Sequence, residues 1–262
     1  MVARIRLFID HPLAAGQPVP LDAGQAHYLG GVMRLPPGAV VEVFNGRDGA
    51  WSARLVQATK RGGSLDVLEQ TAPQRDPPDL WLVFAPIKKA RTDFIVEKAA
   101  EMGAARVLPV QTDHTNSERI RQDRLQAHAV EAAEQCGGTF VPPVADLVAL
   151  SRLLDGWDGA RRILWADEAM AGPAETLAGL PRGPWAILIG PEGGFSDAER
   201  ARLTALPCVS RISLGPRILR ADTAAVAALA LWQAALGDWQ ETDAAMRHSG
   251  TEKRHPAPPD PD

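Results

Sequence analysis

Along the first 72 residues, apolar positions come in short runs separated by turn residues. Arg4 to Ile9, Ala39 to Phe44, Trp51 to Val56 and Ser64 to Leu68 each have the length of a strand. The third alternates as a half-buried strand does, and Asn45-Gly46 ends the second with a hairpin turn signal. Several strands without a long helix predict a small β-barrel or a strongly curved sheet over residues 1–72. Residues 73–79 are polar and rich in proline, which marks a linker.

The pattern then changes. Leu80 to Ala85 is nearly continuous in apolar residues, as a strand covered on both faces is. Thr92 to Met102 has helical spacing and closes at Gly103; Arg106 to Val110 returns to strand; Ser117 to Gln135 carries a second helical stripe through Ile120, Leu125, Ala129 and Ala132. Further strands are predicted at Arg162–Trp165, Trp185–Ile189 and Val209–Leu214. Ser196 with Glu199 reads as a capping box for a helix through Leu206, and Asp222 or Thr223 opens a last helix reaching Leu236. The alternation predicts a mostly parallel α/β domain over residues 80–238, followed by a polar, disordered tail over 239–262.

Composition narrows the class. A hydrophobic fraction of 45% is that of a globular protein, and the formal net charge of −4 excludes a general nucleic-acid coat. Charge is uneven: residues 1–75 carry 8 Lys/Arg and 6 Asp/Glu, leaving 20 and 26 for the rest. Cys136 and Cys208 make no disulfide framework, and the start lacks the apolar core of a signal peptide. The longest apolar run falls short of a membrane span. A cytoplasmic enzyme is the expectation, with no membrane and no metal, since no histidine has ligand spacing.

Two stretches carry most of the candidate chemistry: Ile187-Leu188-Ile189-Gly190-Pro191-Glu192-Gly193-Gly194-Phe195-Ser196 and Leu214-Gly215-Pro216-Arg217-Ile218-Leu219-Arg220. Each is a strand that stops at a glycine ahead of a helix. Such loops expose main-chain groups at the carboxyl ends of parallel strands, where α/β proteins bind ligands. Neither a G-x-G-x-x-G fingerprint nor a phosphate loop is present, and Glu192 would repel phosphate. The first loop therefore suits an uncharged or cationic ligand, or else serves only as a tight turn. Arg217 and Arg220 can hold a carbonyl or phosphate; the alternative is a structural Arg220–Asp222 pair. Lys88, Lys89 and Arg91 either neutralise a nucleic-acid backbone or form a solvated loop.

These segments resemble the RsmE family of 16S ribosomal RNA uridine-N3 methyltransferases. The resemblance is carried by His27 to Arg34, Lys98-Ala99-Ala100-Glu101-Met102-Gly103, Glu131-Ala132-Ala133-Glu134-Gln135 and the two loops, and it spans about residues 4 to 236. It implies an α/β SPOUT-type fold with a C-terminal trefoil knot, preceded by a small PUA-like β-barrel that grips RNA. It also implies a homodimer using S-adenosyl-L-methionine on 16S ribosomal RNA within the small subunit. Three departures stand out. Asp222 replaces a usual glutamate, Gly138 a usual arginine, and Asp113-His114-Thr115 a usual T-E-R.

On this resemblance Leu164, Trp165, Ile189, Gly190, Gly193, Gly194, Leu214, Gly215, Ile218 and Leu219 would hold the cofactor. Arg220, Asp222 and Glu192 would act on the base, Arg220 through charge on the uracil carbonyls and a carboxylate as proton acceptor. Arg4, Arg6, Arg34, Lys88 and Arg91 would contact RNA. Competing readings are methylation of another position, such as a ribose 2′-hydroxyl, and a non-catalytic RNA-binding assembly factor.

Overall fold

In the computed structural model, which describes residues 5–116, 120–169, 177 and 179–240, the chain forms two sheets that meet across a polar seam. The first sheet contains β1 (Arg6–Phe8), β2 (Pro18–Leu21), β3 (Val40–Phe44), β4 (Ala50–Thr59) and β5 (Gly62–Ala72) in the order β1-β3-β4-β5-β2. Only β1 and β3 run parallel. Register shifts in β4 bend the long β4–β5 hairpin, and the sheet curls around Leu7, Val19, Leu29, Val43, Leu55 and Leu65. Strand β2 was not foreseen because its sequence is Pro-Val-Pro-Leu. As an edge strand with both prolines exposed, it pairs with β5 on one side only. Helix α1 (Ala23–Ala26), with an Asp22–Gln25 capping box, and a π-helical turn over His27–Val32 complete this half. That turn ends at exposed Arg34, which has φ of 55°.

The second sheet is parallel throughout: β6 (Leu80–Phe84), β7 (Arg106–Gln111), β8 (Val148–Ala149), β9 (Arg162–Ala166), β10 (Trp185–Ile189) and β11 (Val209–Ile212), in the order β11-β9-β10-β6-β7-β8. All five residues of β10 are buried, as an apolar run at the centre of a two-sided sheet must be. One face packs against α2 (Lys89–Glu101), α3 (Gln122–Cys136) and α6 (Ala221–Ala235). The other face packs against α4 (Leu150–Asp155) and α5 (Asp197–Ala205). The short β8 and α4 carry too little periodicity to be read from sequence.

Two boundaries differ from expectation. Helix α6 starts one residue early, with Arg220 in the capping position but making no capping bond through its side chain. Of the expected 239–262 tail, Asp238–Gln240 forms a 3-10 turn, and residues 241–262 lie outside the described residues.

The seam between the halves corrects the reading of Arg6 as an RNA contact. Its guanidinium pairs with Glu42 at 2.6 Å and donates to the carbonyls of Ala133 and Gly138 at 2.9 Å each. Arg6 thus neutralises the carboxyl end of α3, where unpaired carbonyls concentrate negative charge. It also lies 4.7 Å over the Phe44 ring. The side chain of Glu134, in the last turn of α3, accepts the Phe8 N–H at 2.8 Å, and burial pushes its carboxyl above the ordinary range. Residues 74 and 75 are tied to both halves, through Gln74 to the Gly46 carbonyl and the Arg75 N–H to Thr139. The expected RNA contact Arg4 lies outside the described residues.

Arg6→Ala removes the guanidinium from the carbonyls of Ala133 and Gly138 and breaks its pair with Glu42. The variant is expected to lose about 2 kcal/mol in urea denaturation.

Candidate functional site

Strands β9, β10 and β11 end on the same edge of the sheet, and the loops that leave them enclose a cavity of about 320 Å³. Residues 166–168 supply one wall, 189–192 with Gly194 the second, and 214–220 the third, with Ala221 and Ala224 of α6 as the floor. Gly190, Gly194 and Gly215 belong to this lining, and at the first two a side chain would not fit. A Cβ on Gly190 would lie 2.7 Å from the Phe195 ring. A Cβ on Gly194, which has φ of +68°, would lie 2.5 Å from the Glu168 carboxylate. Ser196 then caps α5 through the capping box with Glu199.

Ile189, Gly190, Gly194, Leu214, Gly215, Ile218 and Leu219 all face this cavity, together with Glu192 and Arg220. Leu164 and Trp165 do not. Leu164 is buried in the core beneath α6, and Trp165 lies on the opposite face, edge-on to Phe195 at 5.6 Å. Both lie within the hydrogen-bonded ladder, so their side chains belong to the sheet's two cores, and only residues from the strand's tip onward reach the cavity. Ala166, Asp167 and Glu168 take their place. Gly193 is also outside the lining, turned toward His114.

Asp167 has a fully buried side chain and holds two cations. Arg200 donates to both its oxygens at 2.9 and 3.0 Å, and Arg211 Nε donates at 2.7 Å. Both guanidinium groups also lie over the Trp165 ring, at 5.0 and 5.3 Å. Burial alone would raise the Asp167 carboxyl, yet the Ala169 N–H and the two arginines hold it below the usual carboxylate range. Its charge is satisfied by its neighbours, whereas the half-exposed Glu168 has, among the described residues, a single 3.5 Å ion-pair contact, with Arg200.

At the cavity mouth the geometry corrects two readings. Arg91, expected to touch RNA, instead pairs with Glu192 at 2.5 Å and approaches Asp222 at 3.8 Å. It joins α2 to the loop after β10 and to the start of α6. Asp222 is therefore partnered by Arg91, not by Arg220. Among the described residues the Arg220 guanidinium has no hydrogen bond or ion pair, and it faces the cavity. Lys88 is exposed at the start of α2. No group of three or more His, Cys, Asp or Glu is placed to hold a metal among the described residues, and no described helix is long and apolar enough to cross a membrane.

Comparison with known proteins gives the architecture a family. An RNA methyltransferase domain model matches residues 74–233, and an RNA methyltransferase PUA domain model matches residues 21–68. The ribosomal RNA small subunit methyltransferase E of Synechocystis is 31% identical over 81% of this chain and 71% of its own length. The chain belongs to this methyltransferase E family. The Bacillus subtilis member is 30% identical over 78% of this chain and 85% of its own. Two solved structures superpose with TM-scores of 0.81, each over 90% of this chain and the whole of its counterpart. One is a Legionella pneumophila methyltransferase in complex with its cofactor SAM, at 28% identity. The other is the methyltransferase E of Neisseria gonorrhoeae bound to S-adenosyl methionine, at 27%. The larger sheet has the SPOUT-type topology associated with a C-terminal trefoil knot, and the curled sheet is PUA-like.

Within this family site, Asp167→Asn leaves two buried-side guanidinium groups facing a neutral amide. It is expected to cost about 3 kcal/mol at neutral pH. Because the folded carboxyl is held low, the parent's advantage is complete above the unfolded value, near pH 4. It shrinks as pH falls through the lower folded value, so denaturation curves of the two proteins should converge in acid.

Proposed function

We propose that this protein transfers a methyl group from S-adenosyl-L-methionine to N3 of a specific uridine in 16S ribosomal RNA. Its substrate is RNA in the small ribosomal subunit, and it works as a cytoplasmic homodimer. The observation that carries the reading is the cavity itself. Main chain and apolar residues from three strand ends surround it, Glu192 and Glu168 stand at its rim, and Arg220 faces in without a partner among the described residues. Such a lining fits a neutral adenosine joined to a cationic sulfonium better than it fits a polyphosphate, which would meet the carboxylates.

When bound, S-adenosyl-L-methionine supplies an electrophilic methyl group, so no metal is needed for activation. The residues of this chain hold and align the reactants. The loops 189–194 and 214–219 bind the adenosine, and the apolar Leu214, Ile218 and Leu219 exclude water from it. N3 lies on the pairing edge of uracil, so the target base must be unpaired or turned out of its helix. The Arg220 guanidinium then stabilises negative charge developing on the uracil carbonyls, as donors in an oxyanion hole do. Asp222 or Glu192 accepts the N3 proton, and Arg91 holds both in place from α2. Exposed Arg34 and Lys88 supply backbone contacts. Exposed Phe94 and Leu231, on the packed helices α2 and α6, support a contact between two copies.

Arg220→Ala is expected to slow methyl transfer by about 100-fold while calorimetry finds donor affinity nearly unchanged. An equal loss of donor affinity would move Arg220 into the donor-binding wall. Labelled S-adenosyl-L-methionine and unmodified small subunits test the function directly: label mapped to a uracil N3 supports it, and label on a ribose hydroxyl or none at all rejects it.

A further inference from the structure

We propose that His114 is a positioning residue for the methyl-donor loop, acting through the main chain of Gly193 and Gly194. The two carbonyl oxygens of those glycines lie 3.0 and 3.2 Å from His114 Nδ1. A carbonyl oxygen only accepts, so Nδ1 must carry the proton, and one N–H is shared between adjacent carbonyls. The approach is close because residue 193 has no side chain: a Cβ there would come within 3.3 Å of the His114 Cβ.

The platform that carries His114 is rigid. It follows β7 in a tight turn where Thr112 and Thr115 are both buried and bound to each other through N–H and hydroxyl groups at 2.8 to 2.9 Å. Asp113, next along this turn, accepts the Ser196 hydroxyl at 2.5 Å, and its own N–H donates to Glu199 at 3.0 Å. Two consecutive residues therefore clasp both ends of the segment from Gly193 to the first turn of α5. Between them the Gly194 N–H bonds to the Pro191 carbonyl, which fixes the turn presenting Glu192 to Arg91. Removing the His114 donor frees two carbonyls to swing, and with them the wall formed by Gly190, Pro191 and Gly194.

The shape of the substitution separates a hydrogen-bond donor from bulk. An asparagine amide can occupy the place of Nδ1, whereas a glutamine amide reaches the place of Nε2. Full-length parent, His114→Asn, His114→Gln and His114→Ala are compared by hydrogen exchange and by calorimetry with S-adenosyl-L-methionine. Alanine and glutamine are expected to speed exchange of amides in 190–196 alone and to weaken donor binding about tenfold, which is about 1.4 kcal/mol. Asparagine is expected to match the parent in both. Unchanged exchange in His114→Ala, unchanged affinity beside faster exchange, or an asparagine variant that behaves like alanine each overturns the proposal. The affinity readout rests on the donor-site reading given above, and the exchange readout does not. A parent that fails to bind the donor sinks that reading and the donor-loop role with it, while the exchange pattern alone decides whether the clasp exists.

Discussion

Because β10 pairs in parallel with β9 on one side and β6 on the other, the central strands of the larger sheet all finish on one edge. Strand β11 pairs with β9 in the same sense, so a third loop arrives there too. Residues 166–168, 189–194 and 214–220 are separated along the chain but have no other place to meet. Bringing backbone so close requires small residues, which is why glycine recurs where the loops turn. The walls so formed include Gly190, Gly194 and Gly215 among apolar and charged side chains.

Charge around this edge is sorted by depth. Asp167, the most enclosed carboxylate, is fully engaged by Arg200 and Arg211. Glu192 and Asp222 at the mouth share Arg91, while Arg217 and Arg220 line the cavity without an ion pair among the described residues. A buried carboxylate beside two guanidinium groups is stabilised by them, whereas exposed Arg220 is solvated and needs no protein partner. Neighbouring residues of one type thus do different work because of what each already touches.

Periodicity located the central elements well. Trp185–Ile189 stands out because an apolar run is bracketed by Pro184 and Gly190, and the Ser196–Glu199 box announces α5 from local chemistry alone. Local chemistry fails where partners are remote. Arg6 looks solvent-directed in a short strand, yet its carbonyl acceptors lie 127 to 132 residues onward, at and just past the end of α3. Arg91 reads as part of a basic cluster until the fold brings up Glu192 from 101 residues away. Leu164 and Trp165 were placed at the cavity by a misjudged strand tip, and a shift of a few residues exchanges core side chains for Asp167 and Glu168. Prolines hid β2, because edge position, which excuses them, is a tertiary property.

The tie between Arg6 and the end of α3 has a consequence for what the protein can measure. With Glu134 gripping the Phe8 amide beside it, the curled sheet and the cavity behave as the two jaws of a fixed calliper. A calliper of set span accepts only an object whose two bearing points already lie that far apart. Whatever spans the curled sheet and the parallel one therefore meets a separation set by the fold.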